Sequence, residues 1–228
     1  MKIAFARPGA SYSSAWLDCW NNTMFYCINN GIEVIDCPAV FHNIHMVRDM
    51  CLGINVGRIG QKPFNGELDY THILWIDSDQ IWKPEHLQRL IDADEDIVSG
   101  WYTISGTDGR GICAGWYDKK VLAEKGGMPC VTSKDLSAPV INPKGLVDLK
   151  AMHPEWEHPW VGMGFMLVKR GVFESIPYPW FFDDCIRVGD VIGNRGDDIT
   201  FCGKATEAGY RIYIDPKVRV GHQKLAVL

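Results

Sequence analysis

The segment Thr71–Asp79, with the sequence THILWIDSD, decides the predicted fold. Its first part, Thr71–Ile76, contains a continuous apolar run, which is typical of a strand buried in a parallel sheet. Two aspartates, Asp77 and Asp79, close the run, and Pro84 favours the start of a helix shortly afterwards. The segment therefore predicts a buried strand whose carboxyl end carries two carboxylates and leads into a helix.

The residues around this strand alternate between strand and helix patterns. Further strands are predicted at Lys2–Ala6, Ile32–Ile35 and Ile97–Trp101. One helix is predicted between Ser14 and Gly31, and another over His42–Gly53 with Met46 and Met50 on one face. The first hundred residues thus follow the order β-α-β-α-β-α-β, which predicts a parallel sheet with right-handed crossovers.

The second half of the chain is less regular. Strands are predicted at Ile112–Tyr117, Trp160–Val168 and Arg211–Ile214, and helices at Val172–Ser175 and Asp197–Ala208. Residues 118–150 show little periodicity and are predicted to be an irregular excursion. With no internal repeat and no linker, residues 1–228 are predicted to form one Rossmann-like α/β domain, with a mostly parallel sheet and flanking helices. Its two halves are expected at about residues 1–101 and 102–228.

The composition is that of a globular protein with a slightly acidic balance. Hydrophobic residues make up 46% and charged residues 22% of the 228 residues, and the formal net charge is −5. An acidic balance argues against a broad nucleic-acid footprint, which needs a basic surface. The apolar run Ile3–Ala6 is too short for a signal peptide, and no stretch approaches the ~20 apolar residues of a membrane span. The eight cysteines contain no C-x-x-C pair, so we expect reduced thiols, a cytoplasmic location and no membrane segment.

The two aspartates after the central strand are the first candidate site. In open α/β sheets ligands bind beyond the carboxyl ends of the strands, and alternate residues of an extended segment point the same way. Two close carboxylates repel unless a cation lies between them, and a hard ion such as Mg²⁺ or Mn²⁺ would also bind a diphosphate. The simpler alternative is that Asp77 starts a turn and Asp79 caps the next helix.

Four segments, taken in order, resemble motifs of the GT-A glycosyltransferases. They are the D-x-D segment Ile73–Asp79, the glycine-rich strand Val161–Leu167, the acidic helix Gly196–Cys202 with Glu207–Tyr210, and the closing block Asp215-Pro216 with Gly221-His222. The matches cover most of the chain except residues 118–150, and the likeness is closest to small family-2-like enzymes of bacteria and their phages. The acidic pair of this family is normally Glu-Asp, and here it is Asp197-Asp198. Because the chain ends six residues after His222, a C-terminal acceptor-binding extension is expected to be missing.

The resemblance implies a metal-dependent enzyme that transfers a sugar from a nucleotide diphosphate sugar, with a UDP-sugar expected, to an acceptor hydroxyl. By resemblance, Asp79 binds Mn²⁺ or Mg²⁺ directly, Asp77 contacts the ribose or reaches the metal through water, and His222 is a third metal ligand. The implied partners are the nucleotide-sugar donor and a carbohydrate or other hydroxyl acceptor. Inversion is favoured because a positioned carboxylate suits direct displacement, and retention stays open. Without the resemblance, a lone histidine is more often a surface or core residue.

The candidate base lies in the acidic helix. An acceptor hydroxyl loses a proton as it attacks, and a carboxylate within hydrogen-bond reach can take it. Asp198 is the first candidate, and Asp197 is the alternative. An aspartate at a helix N-terminus is also favoured simply as a cap. The helix dipole is expected to lower the pKa of Asp198, which would make it a weaker base.

The same resemblance assigns the nucleotide to the first half of the chain and the acceptor to the second. The nucleotide-binding candidates are Ala6, Arg7, Pro8, Asp36, Arg48, Asp77 and Ser78. Arg48 resembles an arginine of the family's R-N helix element, with Asp49 in place of the asparagine, and is suited to contact the base or the phosphates. The acceptor or sugar candidates are Trp160, Gly164, Trp180 and Phe181, since aromatic faces stack on sugar rings. The alternatives are solvated surface charges for the polar residues and core packing for the aromatic ones.

Other functional classes remain open. A non-catalytic sugar- or nucleotide-binding protein of the same fold is compatible with the Glu-to-Asp change at Asp197. A phosphohydrolase with a nucleophilic aspartate also places D-x-D after a strand, but it needs a threonine where Ile81 stands. A nucleotidyltransferase needs a glycine-rich loop near the N-terminus, and residues 7–14 contain only Gly9.

Overall fold

The computed structural model describes residues 1–104, 111–137 and 142–224. Within these ranges the helices are α1 (Ser14–Asn29), α2 (Ile44–Cys51), α3 (Pro84–Ala93), α4 (Lys119–Lys125), α5 (Leu149–Met152), α6 (Val172–Ser175) and α7 (Asp197–Glu207), with 3₁₀ turns at Pro63–Gly66 and Asp135–Ser137. None of these helices is long and apolar enough to cross a membrane. The strands are β1 (Lys2–Pro8), β2 (Glu33–Ala39), β3 (His72–Ile76), β4 (Gln80–Ile81), β5 (Ile97–Trp101), β6 (Gly111–Tyr117), β7 (Cys130–Thr132), β8 (Val147–Asp148), β9 (His158–Val161), β10 (Phe165–Lys169), β11 (Asp184–Val188), β12 (Val191–Arg195), β13 (Tyr213–Arg219) and β14 (Gly221–His222).

A seven-stranded mixed sheet forms the centre of the described structure, in the order β2-β1-β3-β10-β5-β13-β8. Strands β2, β1, β3, β5 and β13 run in one direction, whereas β10 and β8 run in the opposite one. The sheet takes strands from both sides of residue 101. The predicted α/β fold, with a mostly parallel sheet and flanking helices, is confirmed.

Alternation along the central strand explains why helices cover both faces of the sheet. In β3, Ile73 and Trp75 belong to one apolar layer, and Leu74 and Ile76 belong to the other. The first layer also contains buried residues of α2, α6 and α7, and the second contains those of α1 and α3. A continuous apolar run is needed in β3 because the side chains on both of its faces meet a core.

Helix α2 forms where the sequence predicts it, but its buried face differs from the expected one. Met46 is 45% exposed, whereas Val47, Arg48 and Cys51 are buried. The expectation that Met46 shares a packed face with Met50 is therefore wrong. The face that α2 turns towards the sheet carries a positive charge, and this charge shapes the candidate site.

The predicted strand Trp160–Val168 is instead two strands, β9 and β10, which belong to different sheets. The chain leaves β9 before Gly162 and enters β10 after Gly164. A Cβ atom would lie 2.3 Å from the Tyr102 hydroxyl oxygen at Gly162, and 2.8 Å from it at Gly164. Both positions need glycine because the Tyr102 side chain passes directly against the backbone here.

Two segments of the second half contain more regular structure than their sequences predict. Residues 118–150 form α4, β7, β8 and α5, with residues 138–141 outside the described part of the chain. Residues 184–195 form the hairpin β11–β12, which turns at Gly189 with a φ of +65°. These elements are short, so the apolar periodicity that reveals longer elements has too few repeats to be recognised.

Candidate active site

The segment Asp77-Ser78-Asp79 lies at the carboxyl end of β3, next to the carboxyl end of the parallel strand β1. Its backbone is fixed from two directions. The Asp77 N–H donates to the Gly164 carbonyl oxygen at 3.1 Å, and the Trp16 indole N–H donates to the Asp77 carbonyl oxygen at 3.1 Å. The predicted place of this segment, beyond the carboxyl end of the central strand, is the observed one.

Arg48 joins the two acidic motifs of the chain. Its Nε donates to Asp197 Oδ2 at 2.5 Å, and its Nη1 and Nη2 donate to Asp77 Oδ1 and Oδ2 at 3.2 and 3.4 Å. The guanidinium carbon also lies 5.5 Å from the centre of the Trp75 ring. Burial disfavours the charge of Arg48, but the two carboxylates raise its pKa above the usual value. One buried cation therefore binds the first aspartate of each motif.

This placement differs from the nucleotide-contacting role that the sequence suggests for Arg48. The residue is 4% exposed, and its guanidinium faces protein carboxylates. Its burial could have been predicted from the sequence, because Arg48 lies on the same face of α2 as Val47 and Cys51. What the sequence could not supply is the partner, since Asp197 lies 149 residues further along the chain.

Asp198 starts α7 beside Asp197, and none of the described hydrogen bonds of Arg48 goes to it. Its Oδ1 accepts a hydrogen bond from the Ile199 N–H at 2.8 Å. Burial, together with the negative charge of Asp197, raises the pKa of Asp198 to about 6. The expectation that the helix dipole lowers this pKa is wrong, because desolvation and like-charge repulsion outweigh the dipole. A carboxylate with such a pKa is ionised at neutral pH and is a better base than an ordinary one.

Asp79 faces a different set of partners. Its Oδ2 lies 3.0 Å from His222 Nε2 and 3.0 Å from Lys224 Nζ. Burial raises the pKa of Asp79, but hydrogen bonds from His222 and Lys224 outweigh this effect and lower the pKa to about 2. The antiparallel pairing of β14 with β4 brings the groups together, since His222 lies opposite Gln80 in the register.

The surroundings of His222 suit a metal ligand. Its Nδ1 lies 2.9 Å from the Thr103 carbonyl oxygen, to which it can only donate, and its Nε2 donates to Asp79, so a metal ion bound at Nε2 would replace that proton. Metal-binding histidines are commonly oriented in this way by a backbone carbonyl. The pair therefore fits two protein ligands of a divalent cation. Within the described residues, no group of three or more His, Cys, Asp or Glu side chains is arranged to hold a metal ion, and Asp77 is bound to Arg48.

Two cavities share Ser78 and Asp79 in their walls. The larger, of about 410 Å³, is lined by Ser11, Tyr12, Ser13, Ser78, Asp79, Gln223 and Lys224. The smaller, of about 330 Å³, is lined by Pro8, Gly9, Phe41, His42, Ile44, Val47, Asp77, Ser78 and Asp79. A Cβ atom on Gly9, in the wall of the smaller cavity, would lie 2.6 Å from Ser78 Cβ, so only glycine fits against Ser78. A ligand that extends from one cavity into the other would pass Asp79.

The remaining nucleotide candidates lie near the end of β1, and two of them bind each other. Arg7 Nε and Nη2 donate to Asp36 Oδ1 and Oδ2, each at 2.5 Å. Asp36 lies within β2 and not after it, because this strand continues alongside β1 as far as Ala39. Ala6 is fully buried, whereas Pro8 lines the smaller cavity.

The aromatic acceptor candidates lie in the core. Trp180 is 0% exposed and its indole N–H donates to the Ile176 carbonyl oxygen at 3.3 Å, while Phe181 and Trp160 are also buried. Gly164 packs against the Tyr102 ring and does not line either cavity. The structure thus places these residues where the core-packing alternative expects them, since a ring buried on both faces offers no surface for stacking on a sugar.

Lys224 is the site contact that sequence reasoning missed. It follows His222 by two residues, and alternate residues of an extended segment point the same way. The H-x-K spacing was therefore a usable signal for a second positive group near Asp79. Both side chains reach the same carboxylate oxygen.

Comparisons with known proteins give a distant likeness in fold. No family model matches the chain, and no curated protein sequence matches it. A crystal structure of GalNAc-T7 with UDP, GalNAc and Mn²⁺ is similar to 96% of this chain, with 13% sequence identity and a TM-score of 0.44. The chain spans 37% of the length of that protein chain. At this identity and TM-score, the likeness assigns neither a family nor an activity.

Proposed function

We propose that this protein is a metal-dependent glycosyltransferase that transfers a sugar from a UDP-sugar to an acceptor hydroxyl with inversion. One observation carries the proposal: segments that resemble glycosyltransferase motifs and lie far apart in the chain meet at one edge of the sheet. Arg48 connects the D-x-D segment to the acidic helix, and Asp79 meets His222. The second carboxylate of each motif, Asp79 and Asp198, is not bound by Arg48 and is available to bind the metal ion and to take the acceptor proton, respectively.

The donor would lie along the two cavities that share Ser78 and Asp79. The smaller cavity has an apolar wall with the rings of Phe41 and His42, which stack at 4.1 Å between centres and suit a base. The larger cavity offers three serine hydroxyls and the Lys224 ammonium, which suit phosphate and sugar oxygens. Pro8, Asp77 and Ser78 are the nucleotide candidates that line this path.

Asp79 and His222 would hold the metal ion, Mn²⁺ or Mg²⁺. When bound, such an ion neutralises the negative charge that develops on the departing diphosphate. The two residues supply a carboxylate oxygen and an imidazole nitrogen, a donor set suited to Mn²⁺. His222 is oriented for this role by its hydrogen bond to the Thr103 carbonyl oxygen.

Asp198 would take the proton of the attacking hydroxyl. Burial raises its pKa to about 6, so the group is ionised at neutral pH and still binds a proton more readily than a surface aspartate. Asp197 is the weaker candidate because Arg48 binds its carboxylate at 2.5 Å. A base that activates the acceptor for direct displacement is consistent with inversion.

Calorimetric titration of UDP, with and without Mn²⁺, tests the donor site. We expect binding that requires the metal and that is lost in Asp79→Ala. Turnover of a panel of nucleotide-sugars should be lost in Asp198→Asn, whereas UDP binding is retained. Neither binding nor turnover of any common donor by the wild-type protein with Mn²⁺ would refute the proposal.

A non-catalytic nucleotide-binding protein is the second candidate, and one contact favours it. The Lys224 ammonium lies 3.0 Å from Asp79 Oδ2, where it supplies positive charge without a metal. This alternative predicts UDP binding without Mn²⁺ and no donor turnover. The phosphohydrolase alternative is disfavoured further, since the carboxylate of Asp77, its expected nucleophile, is bound by Arg48.

A further inference from the structure

The buried cation between the two acidic motifs supports an inference that rests on the proposed function. We propose that Arg48 is a positioning residue, which fixes Asp77 and Asp197 to each other and thereby sets the place of Asp198 relative to the donor site. In this role Arg48 touches neither the nucleotide nor the metal. It acts through the two carboxylates that it binds.

The geometry of the guanidinium group suits this role. Nε faces Asp197 while both Nη atoms face Asp77, so one planar group defines the directions of two carboxylates. Arg48 belongs to α2, Asp77 follows β3, and Asp197 starts α7. A lysine has the same charge, but its single nitrogen lacks the planar set of donors that fixes the directions of both carboxylates.

The surroundings leave Arg48 little room to bind a ligand. Only 4% of the residue is exposed, and the Trp75 ring lies 5.5 Å from the guanidinium carbon. Helix α2 is itself anchored, since Val47 and Cys51 are buried and Asp49 Oδ2 accepts from the Tyr178 hydroxyl at 2.7 Å. Arg48 is therefore presented from an anchored helix to the two acidic side chains.

The electrostatics point the same way. Asp77, Asp197 and Asp198 bring three carboxyl groups to one partly buried place, where like charges repel. Arg48 is the positive group that pairs with two of them. Without it, the start of α7 and the end of β3 would be expected to separate, and Asp198 would move with α7.

A matched control is available elsewhere in the fold. Arg89 Nη2 lies 2.7 Å from Asp215 Oδ2, and Asp215 is 1% exposed. This pair also joins two elements, α3 and β13, but it involves none of the proposed site residues. Arg89→Lys therefore measures what an arginine-to-lysine change at a buried carboxylate does to this protein in general.

The first test compares the kinetics of Arg48→Lys with those of Arg89→Lys. We expect kcat to fall about 100-fold in Arg48→Lys, because misplacement of a base by about 1 Å has an effect of this size. The Mn²⁺-dependent affinity for UDP and the donor KM should stay as in the wild-type protein, and Arg89→Lys should keep its kcat. A loss of UDP affinity with unchanged kcat would overturn the proposal and show that Arg48 contacts the nucleotide. An unchanged kcat with unchanged affinity would also overturn it.

The second test does not depend on activity. Amide hydrogen exchange should become faster at residues 77–80 and 197–200 in Arg48→Lys and stay unchanged there in Arg89→Lys. Unchanged exchange in Arg48→Lys would overturn the proposal. If Arg48→Lys does not fold, the double variant Arg48→Met/Asp197→Asn removes both charges of the shortest contact and should fold with the same fast exchange and low kcat. A wild-type protein without turnover would refute the proposed function, whereas the exchange result would still decide the role of Arg48.

Discussion

The end of β3 and the start of α7 each carry two aspartates, and Arg48 binds one aspartate from each. At β3 the bound residue is Asp77, which lines only the smaller cavity, and Asp79 lines both cavities. At α7 the bound residue is Asp197, and Asp198 follows it in the first turn. The two motifs come from opposite halves of the chain. In each of them Arg48 binds the first aspartate and leaves the second one free of this contact.

The two aspartates that Arg48 leaves free differ in charge behaviour, although the residue type is the same. Burial and a neighbouring carboxylate raise the pKa of Asp198 to about 6. Burial acts on Asp79 as well, but His222 and Lys224 outweigh it and lower the pKa to about 2. The first carboxylate is thus suited to accept a proton at neutral pH, and the second is suited to remain an anion beside a cation.

The largest expected effect comes from Asp198→Asn. This change keeps the shape of the side chain and removes the base, so the transfer rate should fall about 10²- to 10⁴-fold in steady-state kinetics. The same change removes a partly buried charge, whose raised pKa corresponds to at most about 3 kcal/mol at pH 7. Urea unfolding should therefore show a more stable variant. A variant that is less stable and fully active would contradict the assignment of Asp198 as the free, reactive carboxylate.

A paired comparison of Asp77→Asn with Asp79→Asn tests the division within the first motif. Asp77→Asn leaves a buried arginine with one partner fewer and should cost about 2 kcal/mol of unfolding free energy. Asp79→Asn should cost less, about 1 kcal/mol, because the Asp79 side chain is 38% exposed and that of Lys224 is 51% exposed, and should abolish Mn²⁺-dependent UDP binding. Urea unfolding and calorimetry measure the two quantities. Equal destabilisation by both changes would show that Asp77 and Asp79 do not have the separate structural and ligand-binding roles proposed here.

The pH dependence of kcat should report the ionisation of Asp198 in the second motif, Asp197-Asp198. Below pH 6, Asp198 takes up a proton, so kcat should fall about tenfold per pH unit. Asp197→Asn removes a neighbouring negative charge, so the fall in kcat should begin at a lower pH in this variant. The folded chain binds the proton more readily than the unfolded one, so the wild-type protein should gain stability relative to Asp198→Asn as the pH falls from about 7 to about 4. If kcat falls at the same pH in Asp197→Asn as in the wild-type protein, the titrating group is not Asp198.

The sequence predicts the elements of this fold better than it predicts their neighbours. The continuous apolar run of β3 and the proline that starts α3 are local signals, and both elements form where these signals lie. The insertion of β10 between β3 and β5, and the contact of Arg48 with Asp197, depend on side chains far apart in the chain. Trp180 shows the same limit, because an aromatic residue in a proline-rich loop has no local mark of its burial.

The smallest effect is expected from Lys224→Met, which keeps the apolar stem and removes the charge. The Lys224 ammonium and a divalent cation would compete for Asp79 Oδ2, so Mn²⁺ affinity without nucleotide should rise by about 1.5-fold to fivefold, the range of an exposed ion pair. Electron paramagnetic resonance of free Mn²⁺ measures this affinity, and Lys217→Met, at another exposed lysine, should leave it unchanged. With UDP present the gain should shrink, because Lys224 also lines the larger cavity and would then meet phosphate. A weaker Mn²⁺ affinity in Lys224→Met would mean that Lys224 orients Asp79 for the metal, and Asp79 would then be a positioned residue like Asp77.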